Sequence, residues 1–200
     1  MGAAAVWAGL ENAEKFFMGT AEVQQAMRKL VAALDELGIP YAIVDGMALN
    51  EYGYRRVTVD VLLTRDSLQR FKDHWLGRGY VEKFPGSRGL RDTELGVTID
   101  VLVTGDYPGD GQPKPVQFPD PANVAIRSGG LALIPFAKLV ELKLASGMTS
   151  VHRAKDIGDV VELIKHATPP RELGDQLDLS VRGKYFELWD ALQTPDPMPE

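Results

Sequence analysis

The sequence predicts an α/β (α+β) fold: a small mixed β-sheet flanked by helices, followed by a helical C-terminal part. Three observations carry this. Short apolar runs of strand length alternate with amphipathic helical stripes as far as residue 134, glycine turns separate them, and from Pro135 onward the pattern is helical. The chain divides accordingly into an N-terminal extension (1–19), an α/β core (20–134), a helical part of the same domain (135–192) and a flexible tail (193–200).

Residues 20–38 form the first helix. Thr20 is an N-cap, Val23, Met27, Leu30, Val31, Leu34 and Leu37 make one stripe, and Gly38 before Pro40 stops it. Residues 41–44 read as a short buried strand that enters the turn Asp45-Gly46, and 47–52 return as a helical turn or two. A strand at 57–64 follows, then a helix to Trp75 capped by Asp66 or Ser67, a strand at 80–84 after the Gly77/Gly79 break, and a strand at 97–104. Residues 105–123 hold five prolines and three glycines and read as an extended loop. A short strand at 131–134 leads into a helix opened by Pro135 and ending near Gly147. A second helix covers 153–166 and stops before Pro169-Pro170, and a third covers 180–192.

Composition narrows the chemistry. A chain of 200 residues with 44% hydrophobic content is large enough for a real core. A net charge of −6 argues against bulk nucleic-acid binding through phosphates. With no cysteine and 3 histidines, disulfides, thiolate metal sites and a cysteine nucleophile are excluded, and zinc is disfavoured. The opening Met1-Gly-Ala-Ala-Ala-Val-Trp-Ala-Gly-Leu10 lacks a basic leader and meets Glu11 at once, and no apolar run reaches membrane-spanning length, so the expectation is a cytoplasmic protein without a membrane partner.

The most informative feature is a near-duplication. Val57-Thr-Val-Asp-Val-Leu-Leu-Thr64 and Val97-Thr-Ile-Asp-Val-Leu-Val-Thr104 differ at two positions, and each sets one aspartate among apolar residues. A carboxylate in a buried strand is costly unless it is paired, hydrogen-bonded or bound to a cation. Adjacent strands would bring Asp60 and Asp100 together, where they repel unless they share a proton or a metal, and oxygen-only ligation suits Mg²⁺. The competing reading has each aspartate at a strand end facing water. The second feature is Lys143, which at 100° per residue shares the apolar face of Phe136, Leu139 and Val140, whereas Lys138 and Glu141 point the other way. It either snorkels past the core edge or delivers its ammonium to an anion. Arg153, Asp156 and Asp159 read as a solvated, ion-paired face. The third feature is Gly46, which either brings backbone N–H groups to a phosphate or serves only the turn's φ.

In this order, Ile43-Val-Asp-Gly-Met-Ala-Leu49, Arg56-Val-Thr-Val-Asp-Val-Leu62, Thr98-Ile-Asp-Val101, Glu141-Leu-Lys-Leu-Ala145 and Arg153-Ala-Lys-Asp156 with Asp159 resemble the nucleotidyltransferase superfamily, of DNA polymerase β-like fold. The likeness runs from about Tyr41 to Ile164 and is closest to the minimal bacterial AbiEii/MenT-like branch, which includes toxin-antitoxin proteins. It implies a nucleotidyltransferase-like fold and metal-dependent transfer of a nucleoside monophosphate from a nucleoside triphosphate to an RNA, protein or small-molecule acceptor. Asp60 and Asp100 would hold Mg²⁺ or Mn²⁺. Lys143 would join them as a catalytic residue, and Gly46, Met47, Arg56, Lys143 and Arg153 would bind the nucleotide.

Two departures qualify the pattern. Asp45 stands where the first glycine would be, and the Asp-x-Asp element is incomplete. Leu62 holds the second place if Asp60 is the first acid, Thr58 holds the first if Asp60 is the second, and a two-residue deletion within the strand reads the same. Asp45 is the residue that could supply a replacement oxygen. The alternatives are a non-catalytic descendant that binds a nucleotide or partner protein, and an unrelated α/β domain whose aspartates serve packing.

Overall fold

A computed structural model describes residues 21–45 and 58–194. The Thr20 cap, the N-terminal extension, Gly46 with the turns at 47–52, and residues 195–200 of the tail lie outside the described residues. The described residues form two compact units, one made of those from 21 to 106 together with 118–135, the other of 107–117 and 136–194.

The first unit is built on a seven-stranded mixed sheet. Helix α1 (Ala21–Glu36) precedes β1 (Ala42–Asp45), β2 (Thr58–Leu63), α2 (Arg65–Trp75), β3 (Tyr80–Glu82), β4 (Leu90–Asp92), β5 (Thr98–Val103), the short α3 (Pro121–Val124), β6 (Ile126–Ser128) and β7 (Leu131–Leu133). The spatial order is β3-β4-β5-β2-β1-β7-β6. β2 runs parallel to β5 and β1 parallel to β7, and the remaining neighbours are antiparallel.

Alternation along the two central strands sorts their faces. Val59, Val61 and Leu63 on β2 and Ile99, Val101 and Val103 on β5 enter one core cluster with Leu30 and Leu34 of α1 and Leu68 and Phe71 of α2. Asp60 and Leu62, and Asp100 and Leu102, therefore belong to the opposite face. The stripe of α1 packs as its spacing requires, with Val23, Met27, Leu30, Val31 and Leu34 all buried. Gly38 closes that helix at φ +59°, a left-handed conformation that glycine adopts without steric cost, and the Ile39 N–H then returns to Leu34 O at 2.9 Å.

Several boundaries differ from the sequence expectation for local reasons. α2 is capped by Thr64, whose Oγ1 accepts the Ser67 N–H at 3.1 Å, so neither Asp66 nor Ser67 is the cap. β3 stops at Glu82 and leaves Phe84 exposed. β4, β6 and α3 had no sequence signal, because three or four residues are too few to display a period.

The second unit consists of α4 (Phe136–Gly147), a 3-10 turn (Val151–Arg153), α5 (Ala154–Ala167), a second 3-10 segment (Arg171–Gln176) and α6 (Leu179–Gln193). α4 packs against both α5 and α6 and is buried throughout Val140 to Gly147. That includes Glu141, which the helix period sets away from the apolar stripe and which is covered on that other side. Its carboxylate binds Lys138 and accepts the Asp178 N–H at 2.8 Å, just ahead of α6. The Pro169-Pro170 break is tied to α6 from the other side, where Trp189 Nε1 donates to Pro169 O at 2.9 Å and the Tyr185 hydroxyl donates to Pro170 O at 3.2 Å.

Candidate functional site

β2 and β5 form a continuous parallel ladder in which Thr58 faces Thr98, Val59 faces Ile99, and Asp60 faces Asp100. The two aspartates are thus lateral neighbours on one face of adjacent strands, a spacing of about 4.8 Å between backbones. The duplicated sequence produces this directly, because two near-identical octads paired without an offset bring their equivalent residues abreast.

A third aspartate joins the row at the backbone level. β1 pairs with β2 through Ala42 and Leu62, then Ile43 and Val61, but the next pair is Asp45 with Asp60, because a bulge intervenes between Ile43 and Asp45. Without the extra residue Val44 would stand opposite Asp60. Bulges re-aim one strand against its partner and recur beside functional sites. The three positions 45, 60 and 100 consequently line up across β1, β2 and β5.

The surroundings of the pair are mixed. Asp60 is partly buried and Asp100 is 41% exposed, with the Lys83 ammonium 2.9 Å from its Oδ1. Leu62, on the same face two residues past Asp60, has 0% exposure and is packed as a core residue. Beyond the end of β5, Asp106 is engaged by Arg65 at 3.4 Å and by Arg88. Lys83 and Arg88 both come from the segment between β3 and β4, which carries no recognisable motif. Sequence inspection misses them because only the folded hairpin brings them to β5.

Does this donor set suit a divalent cation? Two carboxylates offering hard oxygen ligands fit Mg²⁺ or Mn²⁺, which retain several waters and commonly take one or two protein carboxylates beside substrate phosphates. No group of three or more histidines, cysteines, aspartates or glutamates converges into a ready-made metal cage among the described residues.

In the helical unit, Lys143 is buried and its ammonium lies 2.5 Å from Asp159 Oδ2. The apolar-stripe position was legible, and a carboxylate of α5 is an anion it meets. Arg153 closes the 3-10 turn before α5, with a nitrogen 2.7 Å from Asp156 Oδ2 and another donating to Ser146 Oγ at 3.0 Å, while Ser146 Oγ donates to Asp156 at 2.6 Å. Asp156 and Asp159 are buried, which corrects the expectation of a solvated face. A polar cleft of about 430 Å³ in the same unit is lined by Lys138, Glu141, Asp178 and Arg182, and its Glu141 is committed to the contacts that fasten α6. Gly46, Met47 and Arg56 lie outside the described residues.

No family model and no curated protein matches the chain. Among solved structures it is similar to the solution structure of the antibiotic-resistance factor ANT(2'')-Ia, a nucleotidyltransferase, with a TM-score of 0.50 and 15% identity over 88% of this chain and 97% of that one. The fold is nucleotidyltransferase-like. At this identity the likeness speaks for architecture: the mixed sheet with its flanking helices. No helix among the described residues is long and apolar enough to cross a membrane.

Proposed function

We propose that the protein is a nucleotidyltransferase that uses Mg²⁺ or Mn²⁺ to transfer a nucleoside monophosphate from a nucleoside triphosphate to an RNA, protein or small-molecule acceptor. The observation that carries this is the in-register pairing of Asp60 with Asp100 on one face of the nucleotidyltransferase-like sheet. Asp60 and Asp100 are the metal-holding residues in this reading, and the bulge that brings Asp45 level with Asp60 makes Asp45 the candidate for the missing third oxygen donor. A divalent cation there would offset triphosphate charge and orient it toward an acceptor hydroxyl. The chain's own contribution is to hold two carboxylates abreast on a rigid ladder, so that little reorganisation is needed when charge develops.

Gly46, Met47 and Arg56 enter the proposal from the sequence pattern as nucleotide-binding residues. Lys143 and Arg153 enter it in the same way, and both spend charge on aspartates of their own unit. The pattern also supports a place in the AbiEii/MenT-like branch and a cytoplasmic setting. A second reading, a non-catalytic descendant that binds a nucleotide or partner protein, is favoured by the incomplete Asp-x-Asp element and by Asp45, and if Asp60 is the first acid the second place is held by the fully buried, apolar Leu62.

Labelled nucleoside triphosphates incubated with the protein, Mg²⁺ or Mn²⁺, and total RNA, cell extract or small-molecule hydroxyl compounds separate the two. Transfer that is lost in Asp60→Ala and Asp100→Ala supports the enzyme. Transfer no greater than in those variants, with nucleotide binding retained, supports the binding protein.

A further inference from the structure

Lys83 reaches Asp100 along a prepared path. Its backbone N–H bonds Gly89 O at 3.0 Å across the hairpin, and its stem then crosses Gly89 itself. A Cβ at position 89 would stand 2.5 Å from Lys83 Cδ and 3.3 Å from Cγ, so only glycine leaves the lane open without displacing the lysine. The adjacent carboxylate does not compete for it. Glu82 is taken by Lys72 at 2.6 Å and by the Gly86 N–H at 2.7 Å. Lys83 thus has Asp100 as its carboxylate, 2.9 Å away, with both side chains about 40% exposed (38% and 41%).

We infer that Lys83 is a built-in counter-ion of the carboxylate row that competes with a divalent cation for Asp100 and so sets how tightly the metal is held. This rests on the reading of Asp60 and Asp100 as metal ligands. An ammonium beside a carboxylate that also serves a doubly charged ion repels that ion, and an ion pair this exposed is weak enough to yield to it. Lys83 is a positioning and charge-setting residue here, acting on the metal through Asp100.

The experiment is a titration of the full chain with Mn²⁺, the free ion being read by its paramagnetic resonance signal. Lys83→Met is expected to bind Mn²⁺ roughly five- to tenfold more tightly than the unmodified protein, from removal of one charge a few ångströms from the ion. Gly89→Ala keeps the lysine but blocks its lane, and is expected to move affinity the same way by a smaller factor. Lys165→Met, a charge change in the other unit, is expected to leave affinity unchanged and so controls for net charge. Affinity in Lys83→Met equal to or weaker than that of the unmodified protein overturns the inference, as does an equal gain in Lys165→Met. The metal-ligand reading fails separately, if Asp60→Ala and Asp100→Ala titrate like the unmodified protein.

Discussion

The aspartates of α5, Asp156 and Asp159, and Asp100 of the sheet receive opposite treatment. The α5 pair is buried, and each member lies against a cation: Lys143 at Asp159, Arg153 at Asp156, with Ser146 filling a further acceptor site. Removing such carboxylates from water costs several kcal/mol each, which only close, well-aligned partners can offset. Asp100 keeps much of its hydration and faces an exposed lysine, a pairing worth about 0–1 kcal/mol. Charge locked into fixed geometry holds helices together. Charge held loosely on a rigid strand can exchange its partner, and that is what a ligand site requires.

The comparison can be broken most easily at α5. Asp159→Ala removes the buried carboxylate beside the Lys143 ammonium and is expected to lower stability by about 3–5 kcal/mol, measured as the urea midpoint. A cost under about 1 kcal/mol would show that the pair is not a structural lock. Asp156→Ala removes an acceptor used by both Ser146 and Arg153 and should cost about 1–3 kcal/mol in the same assay.

Burial also leaves a high-pH signature in both units. Tyr80 is pushed up to about 12 by burial, with the Asp92 carboxylate adding to the effect, and Tyr185 is pushed up to about 12 by burial, with Glu172 adding. Because the folded values lie above the unfolded value near 10, the folded chain keeps protons that the unfolded chain has released. This stabilisation is complete below pH 10 and is lost as pH rises through 12, amounting to about 2–3 kcal/mol per tyrosine. Tyr80→Phe should flatten the fall measured by denaturant midpoints between pH 9 and 12, and an unchanged slope would contradict the assignment.

The smallest effect on stability belongs to Asp100. Asp100→Asn should shift the midpoint by no more than about 0.5 kcal/mol, since an exposed, weakly paired carboxylate is being removed. A loss comparable to that of Asp159→Ala would mean that Asp100 is structural and that the contrast with the α5 pair is false.

Much of this was legible in the chain. The repeated octads foretold both central strands and, through their likeness, the abreast placement of Asp60 and Asp100. The spacing of Lys143 with Phe136, Leu139 and Val140 placed it on the apolar stripe but left open whether its ammonium snorkels to the core edge or meets an anion. What could not be read depends on contacts that local pattern does not encode. The bulge before Asp45 is a matter of register between β1 and β2, and nothing in Ala42-Ile-Val-Asp45 announces it. Lys83 and Gly89 acquire meaning only when the β3–β4 hairpin folds beside β5. Asp159 is an ordinary helix-surface residue in the sequence until α4 presents Lys143 to it.

The central claim is that Asp60 and Asp100 hold one divalent ion between them. Mn²⁺ affinity measured for Asp60→Ala, Asp100→Ala and the double variant tests it most directly. A shared ion predicts a single site whose binding is lost nearly as completely in either single variant as in the double. Single-variant affinities equal to that of the unmodified protein, or losses that simply add, would contradict it.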